Sequence, residues 1–233
     1  MEILLVTNNK DQLNSLAKFF QKENILLKPV SLNQDEEDNS KTTLIKKALK
    51  AFETFKKPLI VINSNSLNEE ILIYVDQYGY LVYEKNIYEK LLNFLKKRKV
   101  ARGITFIDDK VLLLKRVRRD GEKILNYYAI PGGGVEKDET NEEACLREIE
   151  EETSIKASIN TYLDFEEYEQ GVCYYFLTNY LSGIPCLGGE EKIKNSPDNS
   201  YEVKLVALKE LDNIMIYGIG IDMIKKAYKR YKV

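Results

Sequence analysis

Arg147, Glu148, Glu150, Glu151 and Glu152 fall within six consecutive positions, shortly after three glycines in a row, Gly132 to Gly134. At 3.6 residues per turn, Glu148 and Glu152 stand one above the other, Glu151 lies beside them, and Arg147 precedes Glu151 by four residues. The other stripe of this helix, Cys145, Leu146 and Ile149, is apolar and faces a core. A charge run is usually a solvated face, but this one breaks two local rules. Like charges at i,i+3 and i,i+4 cost roughly 0.2–0.5 kcal/mol each. Carboxylates near a helix C-terminus oppose its dipole by roughly 0.3–1 kcal/mol each. A hard divalent cation resolves both conflicts, because Mg²⁺ or Mn²⁺ takes oxygen ligands and shares them with water and substrate phosphates. The glycines let backbone carbonyls or amides approach a ligand closely. The chain has no histidine. Imidazole bases, histidine triads and imidazole zinc sites are excluded, and acid–base chemistry falls to carboxylates, Lys, Tyr or Cys.

The elements that must hold these residues follow from periodicity. A hairpin over "ARGITFIDDKVLLLKRV" turns at Asp108-Asp109, and "ILNYYAIPGGG" is a strand running into the glycines. The acidic helix starts at the capping-box pattern Thr140 to Glu143. "ASINTYLDFEEYE" and "GVCYYFLTNYLSG" form a long antiparallel pair, "GIPCLGGEEKIKNSPDNS" is a long polar loop, "YEVKLVALKEL" is a strand, and "GIDMIKKAYKRYK" is a closing helix. Upstream, "MEILLV", "ILLKPVSL" and "PLIVIN" are strands alternating with amphipathic helices, then "EILIYVD" and "YLVYE" pair, and a helix ends in basic residues near position 99. The expected organisation is α/β (α+β) in two domains, 1–99 and 100–233.

The segment from Gly133 to Ile155 resembles the Nudix box, G-x5-E-x7-R-E-U-x-E-E-x-G-U with U aliphatic. Gly133 is followed after five residues by Glu139, and after seven more by Arg147-Glu148-Ile149, Glu151-Glu152 and Ile155. Ser154 stands where the family has glycine, a position that ends the helix, so serine is expected to shift the local geometry. The resemblance implies a Nudix α/β/α sandwich over 100–233, preceded by a smaller α/β domain. It implies a pyrophosphohydrolase acting on a nucleoside diphosphate linked to another moiety, with Mg²⁺ or Mn²⁺ as cofactor. Glu148, Glu151, Glu152 and Gly133 would form the metal set, and one of the glutamates or a later loop acid would activate water. Arg147 would orient a catalytic carboxylate, while Gly134, Glu139 and Ser154 would be structural positions of the box. The alternative is a non-catalytic sensor that binds a nucleotide derivative on the same fold.

Outside the box, Glu190 and Glu191 are candidates for a further acid, and read equally as a solvated turn. Lys115, Arg116, Arg118 and Arg119 follow a strand, and Arg116 is a candidate for a substrate phosphate. Among Tyr127, Tyr128, Tyr174 and Tyr175, one could stack a base, with sheet-face packing as the plainer reading. Residues 1–99 bear a fainter likeness to the front half of the inosine triphosphate pyrophosphatase family. Thr7 and Asn9 match its T-x-N-x-x-K, but Gln12 replaces the lysine, and Asn63-Ser64-Asn65-Ser66-Leu67 lacks its acids. That implies a shortened, catalytically silent unit; the alternative is an unrelated α/β domain, and either would serve structure, dimerisation or gating, so a homodimer is one candidate assembly.

A net charge of −2 argues against a nucleic-acid binder with a broad basic face. The three cysteines are too few for a disulfide framework, no signal peptide or membrane span is evident, and a cytoplasmic protein is expected.

Overall fold

The computed structural model describes residues 1–7, 10–31, 40–63 and 71–232, and gives the backbone alone for Lys10, Asp11, Gln12, Ser15 and Asp120. The expectations at Asn9, the Gln12 side chain and Ser64 to Leu67 lie outside the described residues. The chain divides into two compact units, Met1–Lys96 and Lys97–Val233.

The first unit holds β1 (Glu2–Val6), α1 (Lys10–Gln21), β2 (Leu26–Val30), α2 (Lys41–Phe55), β3 (Leu59–Ile62), β4 (Ile71–Asp76), β5 (Gly79–Glu84) and α3 (Ile87–Lys96). Its sheet runs β2-β1-β3-β4-β5. β1 is parallel to both β2 and β3, and β4 and β5 are antiparallel additions. Helix α2 starts at Ser40, whose side chain accepts the Thr43 N–H, and packs Leu44, Ala48 and Ala51 on Leu4, Val6, Leu59 and Val61. The fully buried β3 reads as an uninterrupted apolar run because both faces are covered.

The second unit continues with β6 (Arg98–Ile107), β7 (Lys110–Asp120), β8 (Lys123–Ala129), β9 (Gly132–Gly134), α4 (Asn141–Thr153), β10 (Ile155–Tyr168), β11 (Gly171–Gly183), α5 (Gly189–Lys194), β12 (Asn199–Ala207), a 3-10 turn (Leu208–Asn213) and α6 (Gly220–Tyr231). The sheet order is β10-β11-β6-β7-β12, with β8 on β7 and β9 on β6. β11 lies parallel to β6, whereas β10–β11, β6–β7 and β7–β12 are antiparallel. The β6–β7 hairpin turns at Asp108 and Asp109, both with positive φ (49° and 61°).

Alternation along β6 sends successive side chains to opposite faces. Val100, Ile104 and Phe106 join Met223, Ile224 and Ala227 of α6 in one core. On the other face a Cβ at Gly103 would fall 2.2 Å from Ile149 Cδ1 and 2.8 Å from Cys145 Sγ, so the glycine lets α4 lie close against the sheet. The two helices therefore cover opposite faces. The sheet is mixed and the class is α/β.

Two local expectations need correcting. Lys115 to Arg119 do not follow a strand; they lie inside β7, which runs on because β8 pairs with one edge and β12 with the other. The polar loop after β11 contains the short helix α5, with acids in its first turn, bases in its last, and a Glu190–Lys194 pair across one turn. All three cysteines are free. No helix among the described residues is long and apolar enough to cross a membrane.

Candidate active site

Helix α4 begins where the sequence indicates. Thr140 accepts the Glu143 N–H at 3.2 Å and Glu143 returns the bond to the Thr140 N–H at 2.8 Å. The helix ends at Ser154, which itself takes the left-handed conformation (φ 58°, ψ 19°), its N–H donating to Glu150 O at 2.9 Å. Serine thus holds the turn that glycine would make, at a conformational cost of about 1 kcal/mol.

Arg147 is the organiser of the site. Its Nε and Nη2 donate to the two oxygens of Glu139 at 2.8 and 3.0 Å, a two-pronged pair, and Nη2 also donates to Gly134 O at 3.0 Å. Its Nη1 donates to Glu148 Oε1 at 2.9 Å and to Glu151 Oε2 at 3.2 Å. Glu139 also accepts the Glu136 N–H at 2.9 Å, and the Arg147 guanidinium holds its carboxyl below the usual range. The loop carrying Gly134 and Glu139 is thereby fastened to α4.

Three carboxylates do not share in this neutralisation equally. Glu152 is only 9% exposed, and its carboxylate accepts the Gly132 N–H at 2.8 Å. Burial, with Glu191 and Glu148 adding repulsion, pushes its pKa up to about 8. Glu148 is also raised, first by burial, against the pull of Arg147, with Glu151 and Glu191 repelling it. A Cβ at Gly133 would fall 2.4–2.6 Å from the Glu148 carboxylate atoms, so glycine there makes room for that carboxylate. Glu150 points elsewhere, toward Lys156 at 3.9 Å.

The segment before α5 is bound to the end of α4. The Cys186 N–H donates to Thr153 O at 3.0 Å and the Gly188 N–H to Glu152 O at 3.3 Å. A Cβ on Gly188 would meet Glu151 O at 2.4 Å, and Gly189 has φ +53°. This docking separates the two loop acids. Glu190 is engaged by Lys194, whereas Glu191 is close enough to Glu148 and Glu152 to raise both.

Among the described residues no three His, Cys, Asp or Glu side chains converge as a ready-made metal cage. The donor set nevertheless suits a hard cation: a buried carboxylate with a single backbone donor, a second above it, and a third opposing both.

Beside this cluster lies a cavity of about 430 Å³ lined by Arg102, Arg116, Arg118, Leu125, Tyr127, Ala129, Met215 and Tyr217. It sits on β7 and β8, where Arg116 pairs with Tyr127 and Arg118 with Leu125 across the ladder. Met215 and Tyr217 reach it because their backbones bond to Tyr128 at 2.7 and 2.9 Å. Arg102 joins cavity and carboxylates: it is paired with Gly132, the donor to Glu152, and its charge opposes the rise of the Glu152 pKa. Arg116 lines the cavity, while Arg119 is turned to Asp198 at 2.7 Å. Of the four tyrosines considered, Tyr127 lines the cavity, Tyr128 packs on the core, and Tyr174 and Tyr175 are buried. Sequence reading missed Arg102, Met215, Tyr217 and Tyr201, because no local motif marks them.

The NUDIX domain model matches residues 97–223. The ADP-ribose pyrophosphatase of Methanocaldococcus jannaschii is 28% identical over 160 residues, covering 67% of this chain and 87% of that protein. A solved MutT NUDIX hydrolase from Burkholderia pseudomallei is 26% identical with a TM-score of 0.45, covering 56% of this chain and 98% of that one. A NUDIX hydrolase from Nitrosomonas europaea is 18% identical with a TM-score of 0.47, covering 76% and 88%. The domain match starts at residue 97 and lends no support to the inosine triphosphate pyrophosphatase likeness of residues 1–99.

Proposed function

The chain belongs to the Nudix family and is a pyrophosphohydrolase, and on that premise we propose that it cleaves the pyrophosphate bond of a nucleoside diphosphate linked to another moiety. A divalent cation, Mg²⁺ or Mn²⁺, would be held by Glu148, Glu151 and Glu152 beside the backbone of Gly133. The observation that carries this reading is Glu152: a buried carboxylate with one backbone donor, stacked among like charges. When bound, the cation supplies neutralisation of phosphoryl charge and a lowered pKa for coordinated water.

The chain's own residues do the rest. Arg147 holds Glu148 and Glu151 in register with the loop that carries Gly134 and Glu139. Water attacks one phosphorus as its bridging P–O bond breaks, and the proton goes to a carboxylate. Glu191 would take that role, a reading supported by its charge acting on both Glu148 and Glu152 while Glu190 is occupied by Lys194. Arg102, between cavity and carboxylates, binds phosphate, and the Tyr127–Tyr217 pair (centroids 5.9 Å apart) offers ring surface to a base.

The test is a panel of nucleoside triphosphates, sugar nucleotides, ADP-ribose and dinucleotides with Mg²⁺ and Mn²⁺, scored by the phosphate products released. Turnover of a diphosphate-linked substrate that is abolished by chelation is expected. No turnover of any panel member with either metal refutes the proposed substrate class.

A further inference from the structure

Arg116 is a cation set between two tyrosine rings and only partly used in hydrogen bonding. Its guanidinium lies 4.4 Å from the Tyr201 ring centroid and 5.8 Å from that of Tyr127. Its Nη2 donates to the Tyr201 hydroxyl at 2.6 Å, and that hydroxyl also accepts from Asn199 Nδ2 at 3.3 Å. A guanidinium has five N–H donors. The Nε of Arg116 is buried with no hydrogen-bond partner among the described residues. Protein atoms close that Nε off, so a ligand in the cavity would meet the η nitrogens, of which only Nη2 donates to a described residue.

Charge sharpens the point. Arg102, Arg116 and Arg118 line the cavity and no acid does. Arg116 and Arg118 stand two residues apart on one strand, so both point to the same face at a spacing of about 7 Å. The proposed scissile pyrophosphate belongs on the carboxylate side, next to Arg102, with its charge met there by the cation. A neutral sugar in the cavity would leave the other two guanidiniums uncompensated. A carboxylate brings one charge, whereas a phosphate monoester brings close to two and three acceptor oxygens, which matches two guanidiniums. The flanking Tyr127, Tyr217, Leu125 and Met215 supply the apolar wall that a nucleoside ring system needs.

We propose that this cavity recognises a phosphate monoester on the nucleoside beyond the scissile bond, so that the preferred substrates are nucleoside diphosphate derivatives carrying that extra phosphate. The inference rests on the hydrolase reading above and names its substrate class.

Binding to metal-free protein tests it apart from catalysis. Calorimetry would compare AMP with adenosine 2′,5′-bisphosphate and adenosine 3′,5′-bisphosphate. One bisphosphate should bind about tenfold tighter than AMP or better, as expected for a charge-assisted pair. Arg116→Gln should bring that ratio close to one, and Arg118→Gln should lower it, whereas Arg119→Gln, whose guanidinium is tied to Asp198, should keep it. If Arg116→Gln fails to fold by circular dichroism, Arg118→Gln decides. In turnover, NADPH over NADH, or coenzyme A over its dephosphorylated form, should show the higher kcat/KM. Equal affinity for AMP and both bisphosphates, or a preference that Arg118→Gln leaves undiminished, overturns the proposal. Efficient hydrolysis of only unphosphorylated substrates would sink it while leaving the hydrolase reading intact. Tight bisphosphate binding with no hydrolysis of any nucleotide would instead sink the hydrolase reading.

Discussion

Glu152→Gln isolates the electrostatic cost of the site. Burial raises the Glu152 carboxyl from its ordinary 4.5 to about 8. The folded chain therefore keeps a proton that the unfolded chain releases above pH 4.5. Stability falls as pH rises between 4.5 and about 8, and is flat beyond. At 1.36 kcal/mol per pH unit, keeping that proton costs about 3 kcal/mol at pH 7, and above pH 8 the ionised carboxylate costs about 5 kcal/mol. Glutamine cannot ionise, and its carbonyl can still accept the Gly132 N–H. Without metal, the variant should melt higher than the parent, by roughly 6–12 °C at pH 7 if each kcal/mol is worth 2–4 °C, and level with it near pH 4. Thermal melts of both proteins in chelator at pH 4, 7 and 8.5 measure this. Saturating Mn²⁺ should then stabilise the parent strongly and the variant little, by mass action on the folded state. Parallel pH dependences for the two proteins, or equal stabilisation by Mn²⁺, would refute the reasoning.

Gly133→Ala puts a methyl 2.4 Å from Glu148 Oε1, so the carboxylate must move; kcat should fall about a hundredfold with unchanged circular dichroism. Ser154→Gly relaxes a left-handed serine at φ 58° and should add about 0.5–1 kcal/mol in urea unfolding, and a loss would contradict the strain assigned to it. Arg147→Lys cannot reproduce the two-pronged bond to Glu139 while also reaching Glu148, Glu151 and Gly134 O. It should lose about 1–3 kcal/mol of stability and most activity, and near-wild-type kcat would show that the clamp is dispensable.

What the sequence made legible is what depends on near neighbours. The Thr140–Glu143 cap, the turn at Asp108-Asp109 and the apolar stripe of Cys145 and Ile149 are set within a few residues, and each has its expected place. The stacked carboxylates of α4 were readable for the same reason. The cavity was not, because its walls come from β6, β7, β8 and the segment after the 3-10 turn, brought together only by sheet pairing. Tyr201 meets Arg116 across the β7–β12 ladder, a contact between positions 85 residues apart. Ser154 shows the opposite limit. The departure from the family pattern was visible, but the surrounding structure decided that serine would adopt the glycine conformation. Helix α5 is indistinguishable from a polar turn in the sequence because its six residues carry too little periodicity.

Surface connections ordinarily tolerate insertions and deletions, since adding a residue costs little closure entropy. The stretch from Cys186 to Gly189 should not. Its amides cap the carbonyls of Thr153 and Glu152, and its two glycines lie against Glu151 O with no space for a side chain. Sliding it by one residue would unpair two helix-end carbonyls, press a Cβ into the backbone of α4 and carry Glu191 off the carboxylate stack. Across related chains of varied loop length, length changes are therefore expected after Lys194, toward the exposed residues 195–198, while the spacing from Cys186 through these glycines to Glu191 stays fixed as an indivisible part of the helix end.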